Sequence, residues 1–331
     1  MSAGLNQSAS LSQAGRTMTV YEYDEVDPLE VLHLNLLCLD FALTPERAAR
    51  LRRLDPRPFS FLAVYAKEEG RVAGQVGVFR LPVVSLDGAQ EVGGVWAVST
   101  HPAYARRGIA TRLLDEAHAR MRIAGLRYST LGTQRDRVAY SLYRRLGYED
   151  VAYASSVMVA RSALPPHAGL RAEQTGAAQL PLGDRLFEQA AARSLGFARR
   201  HLPFFPSLGE QGIFTARTLW LLWRQDELAG YAIGSQSKSV LQIDNLLLLN
   251  GEDPVAAVAA VARDLDAPYV RVRLDRPGDV AAFVRAGFQA AMQDYNVFMV
   301  RPLVAGATVD QFRALFGVDS GRFLLSYLDA T

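Results

Sequence analysis

The feature of this 331-residue chain that most limits what it can fold into is an internal echo. The run Leu142-Tyr143-Arg144-Arg145-Leu146-Gly147-Tyr148 returns as Ala282-Phe283-Val284-Arg285-Ala286-Gly287-Phe288. Each run ends a helical pattern on a glycine able to take the left-handed conformation that stops a helix. Each is followed by a strand pattern, ending Val157-Met158-Val159 in one case and Phe298-Met299-Val300 in the other. A second echo stands upstream in the same order. The residues 62–77, around the turn Lys67-Glu68-Glu69-Gly70, are answered by Trp220-Leu221-Leu222-Trp223, a turn over 224–227 and Leu228-Ala229-Gly230-Tyr231, with Gly74 answering Gly230. Two echoes in one order imply a duplicated unit, and the length holds two units of roughly 150 residues.

Periodicity places the elements of the first unit: a strand over 17–23, helices over 28–39 and 44–54, and strands over 61–66 and 72–81. Thr44 with Pro45 has the form of a cap and first turn for the second helix. A longer loop over 85–90 leads to a strand over 92–99, a helix over 106–124 closed by Gly125, a strand over 128–131, a helix over 136–146 and a final strand over 151–159. The second unit repeats a strand over 240–249, a helix over 254–265 and a strand over 269–274. The boundaries expected are a disordered start over 1–16, a first domain over 17–161, a linker over 162–169 holding Pro165-Pro166, a second domain over 170–303 and a docked apolar tail over 304–331.

Composition excludes several classes. Half the residues are hydrophobic and 21% charged, as in globular proteins. Charge nearly balances at a formal +2, so no nucleic-acid or membrane partner is expected. Cys38 is the single cysteine, which rules out an intrachain disulfide and leaves it to act as a small hydrophobe. His33, His101, His118, His167 and His201 lack metal-ligand spacing, so no metal is expected. With no apolar run of about 18 residues and no signal-like start, the expectation is a cytoplasmic protein.

The chemistry concentrates in Val95-Trp96-Ala97-Val98-Ser99-Thr100-His101-Pro102-Ala103-Tyr104-Ala105-Arg106-Arg107-Gly108-Ile109-Ala110-Thr111. An apolar strand runs through a short loop and a glycine into an amphipathic helix carrying Leu113, Leu114, Ala117 and Met121 on one face. The first turn of such a helix offers unpaired N–H groups and the positive end of the dipole, a ready pyrophosphate site. Gly108 and Ala110 keep side chains out of the way, while Arg106 and Arg107 add charge for an outlying phosphate.

On these residues the chain resembles the GNAT superfamily of acetyl-CoA-dependent N-acetyltransferases, whose phosphate signature, Gln/Arg-x-x-Gly-x-Gly/Ala, is matched by Ala105-Arg106-Arg107-Gly108-Ile109-Ala110 with Ala105 in the first place. A second stretch, Asp136 to Tyr148, resembles the family's Asn-x-x-Ala-x-x-Leu-Tyr-x-x-x-Gly-Phe pattern. The resemblance covers residues 17–160 and implies an α/β (α+β) fold of two tandem modules, each a mixed, mostly antiparallel sheet flanked by helices. It implies that Val98, Ser99, Thr100, Arg106, Arg107, Gly108, Ile109, Ala110, Thr111 and Asp136 hold acetyl-CoA. It makes Tyr143 the general acid that protonates the departing thiolate, and the amide near Val98 a donor to the thioester oxygen.

The second unit breaks both patterns. Asn250-Gly251-Glu252-Asp253-Pro254 sets two carboxylates where a phosphate would lie, and Phe283 stands where the tyrosine should. That copy is expected to shape the acceptor cleft or a contact between copies of the chain. For the base, Glu91 is one residue off the position some relatives use, which on a strand is the opposite face. The acidic residues Asp24, Glu25, Asp27 and Glu30 stand either as a solvated helix start or as an attraction for a cationic acceptor. The layout is similar to that of enhanced-intracellular-survival and mycothiol-synthase types of tandem GNAT protein, without the sterol-carrier-like domain of the former; by that likeness the carboxylate of Thr331 would reach the site. The expected activity is acetyl transfer to a primary amine of a small molecule. The alternatives are a non-catalytic acyl-CoA-binding module and a protein-lysine acetyltransferase.

Overall fold

The structure, a computed structural model, describes residues 18–153, 155–167, 169–215, 217–249, 251–275, 277–291, 296–326 and 328. The first half contains strands β1 (Val20–Glu22), β2 (Pro58–Glu68), β3 (Arg71–Ser85), β4 (Gly88–Thr100), β5 (Tyr128–Gln134), β6 (Glu149–Tyr153) and β7 (Ser155–Ala160). Helices α1 (Pro28–Leu39), α2 (Pro45–Leu54), α3 (Ile109–Ile123) and α4 (Val138–Arg145) connect them. The second half adds β8 (Leu170–Gln174), the two-residue β9 (Leu195–Gly196), β10 (Thr218–Arg224), β11 (Glu227–Gln236), β12 (Val240–Leu248), β13 (Tyr269–Leu274), the short β14 (Gln289–Ala290), β15 (Asn296–Pro302) and the short β16 (Phe323–Leu324). Its helices are α5 (Leu180–Ala191), α6 (Phe204–Glu210), α7 (Pro254–Ala262), α8 (Val280–Arg285) and α9 (Val309–Leu315).

Local chemistry accounts for most of the starts and stops. Thr44 Oγ1 accepts the Arg47 N–H at 3.2 Å and Pro45 opens α2. The carboxylate of Asp27 caps α1 through the Leu29 N–H at 2.8 Å. The expected loop over 85–90 is instead a two-residue turn, because β3 and β4 remain paired out to Ser85 and Gly88, with Gly88 at φ +105°. Amphipathic α5 and α6, which no sequence echo marks, fold Phe187, Phe204, Phe205 and Leu208 against one face of the second sheet.

Each half contributes a strand to the other's sheet. Among the described residues the first sheet runs β1-β2-β3-β4-β5-β15-β6, and the second runs β14-β7-β13-β12-β11-β10-β8. The single final strand expected over 151–159 is therefore two strands in different sheets: β6 pairs with β15, and β7 pairs with β13 and β14. The cause is spacing. One residue separates Tyr153 from Ser155, fewer than the two that the tightest common hairpins need, so β7 cannot turn back beside β6 and runs on into the neighbouring sheet. Duplication makes the two slots alike, so Val157 and Val159 fit the core of the second half as Val297 and Met299 fit that of the first.

A buried hydrogen-bond chain seats the incoming strand. Arg301 Nη1 lies 2.7 Å from His118 Nδ1, His118 Nε2 2.7 Å from the Tyr148 hydroxyl, and that hydroxyl 2.6 Å from Ser129 Oγ. Arginine can only donate, so Nδ1 accepts, Nε2–H donates to Tyr148 and Tyr148 donates to Ser129. Burial, with Arg301 and Arg122 nearby, pushes the His118 pKa down to about 3, which keeps the ring neutral as this pattern requires. The carboxy-terminal stretch packs on the first sheet: Phe312 stacks on Phe316 at 4.3 Å between centroids, Phe323 meets Phe197, and β16 pairs with β9.

Candidate active site

Strands β4 and β5 run parallel but pair only at Gly93 with Ser129 and Gly94 with Thr130. Past that point they part, although β4 continues to Thr100 and β5 to Gln134. A bulge helps to aim β4. Gln75 pairs with Ser99 and Gly77 with Trp96, so Ala97 and Val98 together oppose Val76, and Ala97 takes φ +50°. The Trp96 indole stacks on Phe79 at 4.9 Å, and a Cβ at Gly77 would run into it. The parted strands open a cleft of about 480 Å³. One wall is Val95 to Val98, Leu131 to Gln134, Arg137, Ala139 and Tyr143. The other comes from the exchanged strand, the second half and the tail: Ser155, Ser156, Arg271, Arg273, Leu274, Asp275, Phe323, Leu325 and Ser326 among them.

Tyr143 projects from α4 and is 6% exposed. Its ring meets Tyr148 edge-on at 5.8 Å, and among the described residues no group hydrogen-bonds its hydroxyl. Burial alone pushes its pKa up to about 12, so the phenol is protonated at neutral pH. Phe283 and Phe288 repeat the ring pair in the second half at 5.0 Å, without the hydroxyls.

The expected phosphate loop begins later than the sequence indicates. A 3₁₀ turn occupies Pro102–Tyr104, with His101 Nδ1 accepting the Ala103 N–H at 3.2 Å, and α3 starts at Ile109 after Gly108 at φ +77°. The first helical hydrogen bond is donated by Arg112 to the Gly108 carbonyl, so the N–H groups of Ile109, Ala110 and Thr111 have no helical acceptor, and Gly108 brings no side-chain cap. Ile109 is anchored in the core while Arg106, Arg107 and Gly108 are exposed. Arg106 holds φ +62° and Arg107 lies 5.1 Å over the Tyr104 ring. Val98 lines the cleft, whereas the hydroxyls of Ser99 and Thr100 are buried without a hydrogen-bond partner among the described residues.

Other expected site residues fall elsewhere. Asp136 lies exposed in the turn before α4, whose N-cap position is Arg137, so Asp136 is not that helix's cap. Glu91 does not line this cleft: it pairs with Arg80 at 3.2 Å and shares a strand face with Gly93, which packs on Met121 of α3. Thr331 lies outside the described residues. The acidic group at α1 is engaged structurally, Asp24 with Arg52 at 2.7 Å and Glu30 with the Val72 N–H at 2.8 Å. Cys38 is half-buried, its thiol pushed up by burial and lying 3.6 Å from the Thr100 carbonyl, which gives no reactive thiolate. Among the described residues no three His, Cys, Asp or Glu side chains could hold a metal, and no helix is long and apolar enough to cross a membrane.

The corresponding places in the second half are filled by protein. Asp253 Oδ1 accepts the Val255 N–H at 2.9 Å at the start of α7, and Glu252 pairs with Arg224 at 2.6 Å. A phosphate there would meet carboxylates. Where β12 and β13 part, Asp244 lies between Arg217 at 3.3 Å and Arg273 at 3.7 Å, and Asn245 donates to Asp275.

Residues 30–151 match the sequence family described as acetyltransferase (GNAT) domain. This segment is a GNAT acetyltransferase domain. No curated protein sequence matches the chain. Its fold is similar to a GCN5-related N-acetyltransferase from Anabaena variabilis ATCC 29413, with a TM-score of 0.65 at 16% identity over 87% of this chain and 73% of that one. It is also similar to Eis1 from Mycobacterium abscessus, at 0.57 and 16% over 86% and 74%. A tandem GNAT protein from the clavulanic acid biosynthesis pathway aligns at 0.54 and 15% over 88% and 100%. Two mixed sheets flanked by helices make this chain a tandem GNAT-like fold, with the GNAT domain in its first half.

The cleft residues that sequence reasoning missed come mostly from the other half. The alternation in Tyr269-Val270-Arg271-Val272-Arg273-Leu274 does set both arginines on one strand face, but nothing local says that this face meets the first domain's cleft.

Proposed function

We propose that the first domain transfers an acetyl group from acetyl-CoA to a primary amine of a small molecule, by direct attack within a ternary complex. The observation that carries this reading is Tyr143: a protonated hydroxyl, without a protein partner, on the wall of the cleft opened by β4 and β5. In the reaction the amine nitrogen bonds to the thioester carbon, and the carbonyl oxygen gains charge beside the β4 edge, where the amide near Val98 is the donor. As the C–S bond breaks, the sulfur takes the Tyr143 proton and the nitrogen loses one to water. The apolar surroundings that raise the phenol's pKa raise a thiol's as well, so the transfer stays matched. The N–H groups of Ile109 to Thr111 face the pyrophosphate, with Gly108 admitting it closely and Arg106 and Arg107 neutralising phosphate charge.

The second half acts as scaffold and acceptor wall. Because β7, β13 and the residues around Phe323 roof the cleft, a small amine suits it better than a lysine on a folded protein. Thiol release from acetyl-CoA with a panel of amines tests the reading. Turnover by the wild type that falls about a hundredfold in Tyr143→Phe supports it; acetyl-CoA binding without turnover on any amine defeats it.

A further inference from the structure

We infer that the acceptor is an amine that also carries a carboxylate, and that Arg271 holds that carboxylate; the inference rests on the acetyl-transfer reading above. The acceptor wall carries two arginines. Arg271 and Arg273 lie on one face of β13 and both line the cleft. Asp275, also on this wall, accepts from Asn245, and Arg273 shares the carboxylate of Asp244 with Arg217.

Arg271 stands apart from that network. It is half-buried, and its one hydrogen bond among the described residues is from Nη2 to Ser156 Oγ at 3.5 Å, the outer limit for such a bond. No carboxylate among the described residues pairs with it. A guanidinium partly withdrawn from water loses hydration that a single long bond to a hydroxyl does not replace. Its planar fork of donors matches a carboxylate bidentately, and Ser156 is placed to add a hydroxyl donor to the same anion. A polycationic acceptor would instead meet the Arg271 guanidinium at this wall, which disfavours that class.

The experiment compares matched amines, each amino acid against its amide and its decarboxylated counterpart, by thiol release and by calorimetric binding in the presence of coenzyme A. Carboxylate-bearing amines are expected to exceed their uncharged partners in kcat/KM by about tenfold or more, as a charge-assisted pair warrants. Arg271→Ala should raise KM for them about tenfold with kcat within about twofold, leave the uncharged amines unmoved, and be partly rescued by Arg271→Lys. Arg271→Gln gives the same comparison with the side-chain bulk kept. Thiol release with no preference for the carboxylate, or a loss in the variants shared by both amine sets, overturns the anion site and leaves acetyl transfer standing. Carboxylate-dependent binding, lost in Arg271→Ala but without thiol release, overturns acetyl transfer and leaves the anion site standing.

Discussion

Arg301 Nη1 and His118 Nδ1 lie 2.7 Å apart although 183 residues separate them in sequence. The contact ties the strand contributed by the second half to helix α3 of the first. It also makes the stability of that junction depend on pH. His118 titrates near 6.5 when unfolded, and its pKa is held down to about 3 in the fold. Between these values the unfolded chain binds a proton that the folded chain refuses, so the stabilisation is complete above pH 6.5 and is lost as pH falls toward 3. The melting temperature should drop more steeply below pH 6.5 in the wild type than in His118→Gln, which cannot titrate. Parallel slopes in a thermal-shift series would refute the assignment.

Tyr143 gives a different pH signature. Its phenol keeps its proton up to about pH 12, so it sets no alkaline limb at ordinary pH. The profile of kcat/KM should rise with deprotonation of the amine and stay level to about pH 10. In Tyr143→Phe the plateau falls while the affinity for acetyl-CoA and the melting temperature hold, since the hydroxyl has no partner among the described residues to lose. Kinetics beside calorimetry would check all three.

Gly108 combines a left-handed backbone at φ +77° with open space around any added Cβ. An added Cβ meets no protein atom within 4 Å, so the cost of valine is backbone strain of about 1–2 kcal/mol and bulk set against the ligand. Gly108→Val should weaken acetyl-CoA binding about tenfold or more and change the rate at saturation little. Titration calorimetry of the wild type should show one site per chain, because Asp253 and Glu252 occupy the second helix start.

The strand exchange predicts that neither half folds alone. A fragment of residues 18–161 lacks β15, which lies between β5 and β6 in the interior of its sheet. It should show no cooperative melting transition, and a fragment of residues 162–331 added to it should restore one. The intact chain should unfold in a single transition by scanning calorimetry. An independently melting first fragment would contradict the exchange as a stability requirement.

Much of this arrangement was legible in the residues. The Gly108 turn, the Tyr143 helix, the cap at Thr44 and the duplication all rest on short-range chemistry, which spacing records. Val151 to Val159 shows where that record ends. Its alternation is correct for a strand on either side of Ala154, yet the pattern is silent on which sheet each part joins, since duplicated sheets present equivalent slots. Glu91 shows a second limit: strand parity fixes its face once the neighbouring Gly93 is seen against Met121, and that contact is tertiary. Arg271 and Ser156 reach the cleft only through the exchange, so no local motif could announce them.

The position of β15 also governs when the protein can become active during its own synthesis. A ribosome delivers the GNAT domain's phosphate turn and Tyr143 early, but the strand that completes their sheet emerges nearly 150 residues after Tyr153. Until β15 is available, the edge of β5 that it covers has no partner in the first sheet and stands open to wrong pairing. The first sheet is thus completed only by a strand that the chain delivers long after the rest of it.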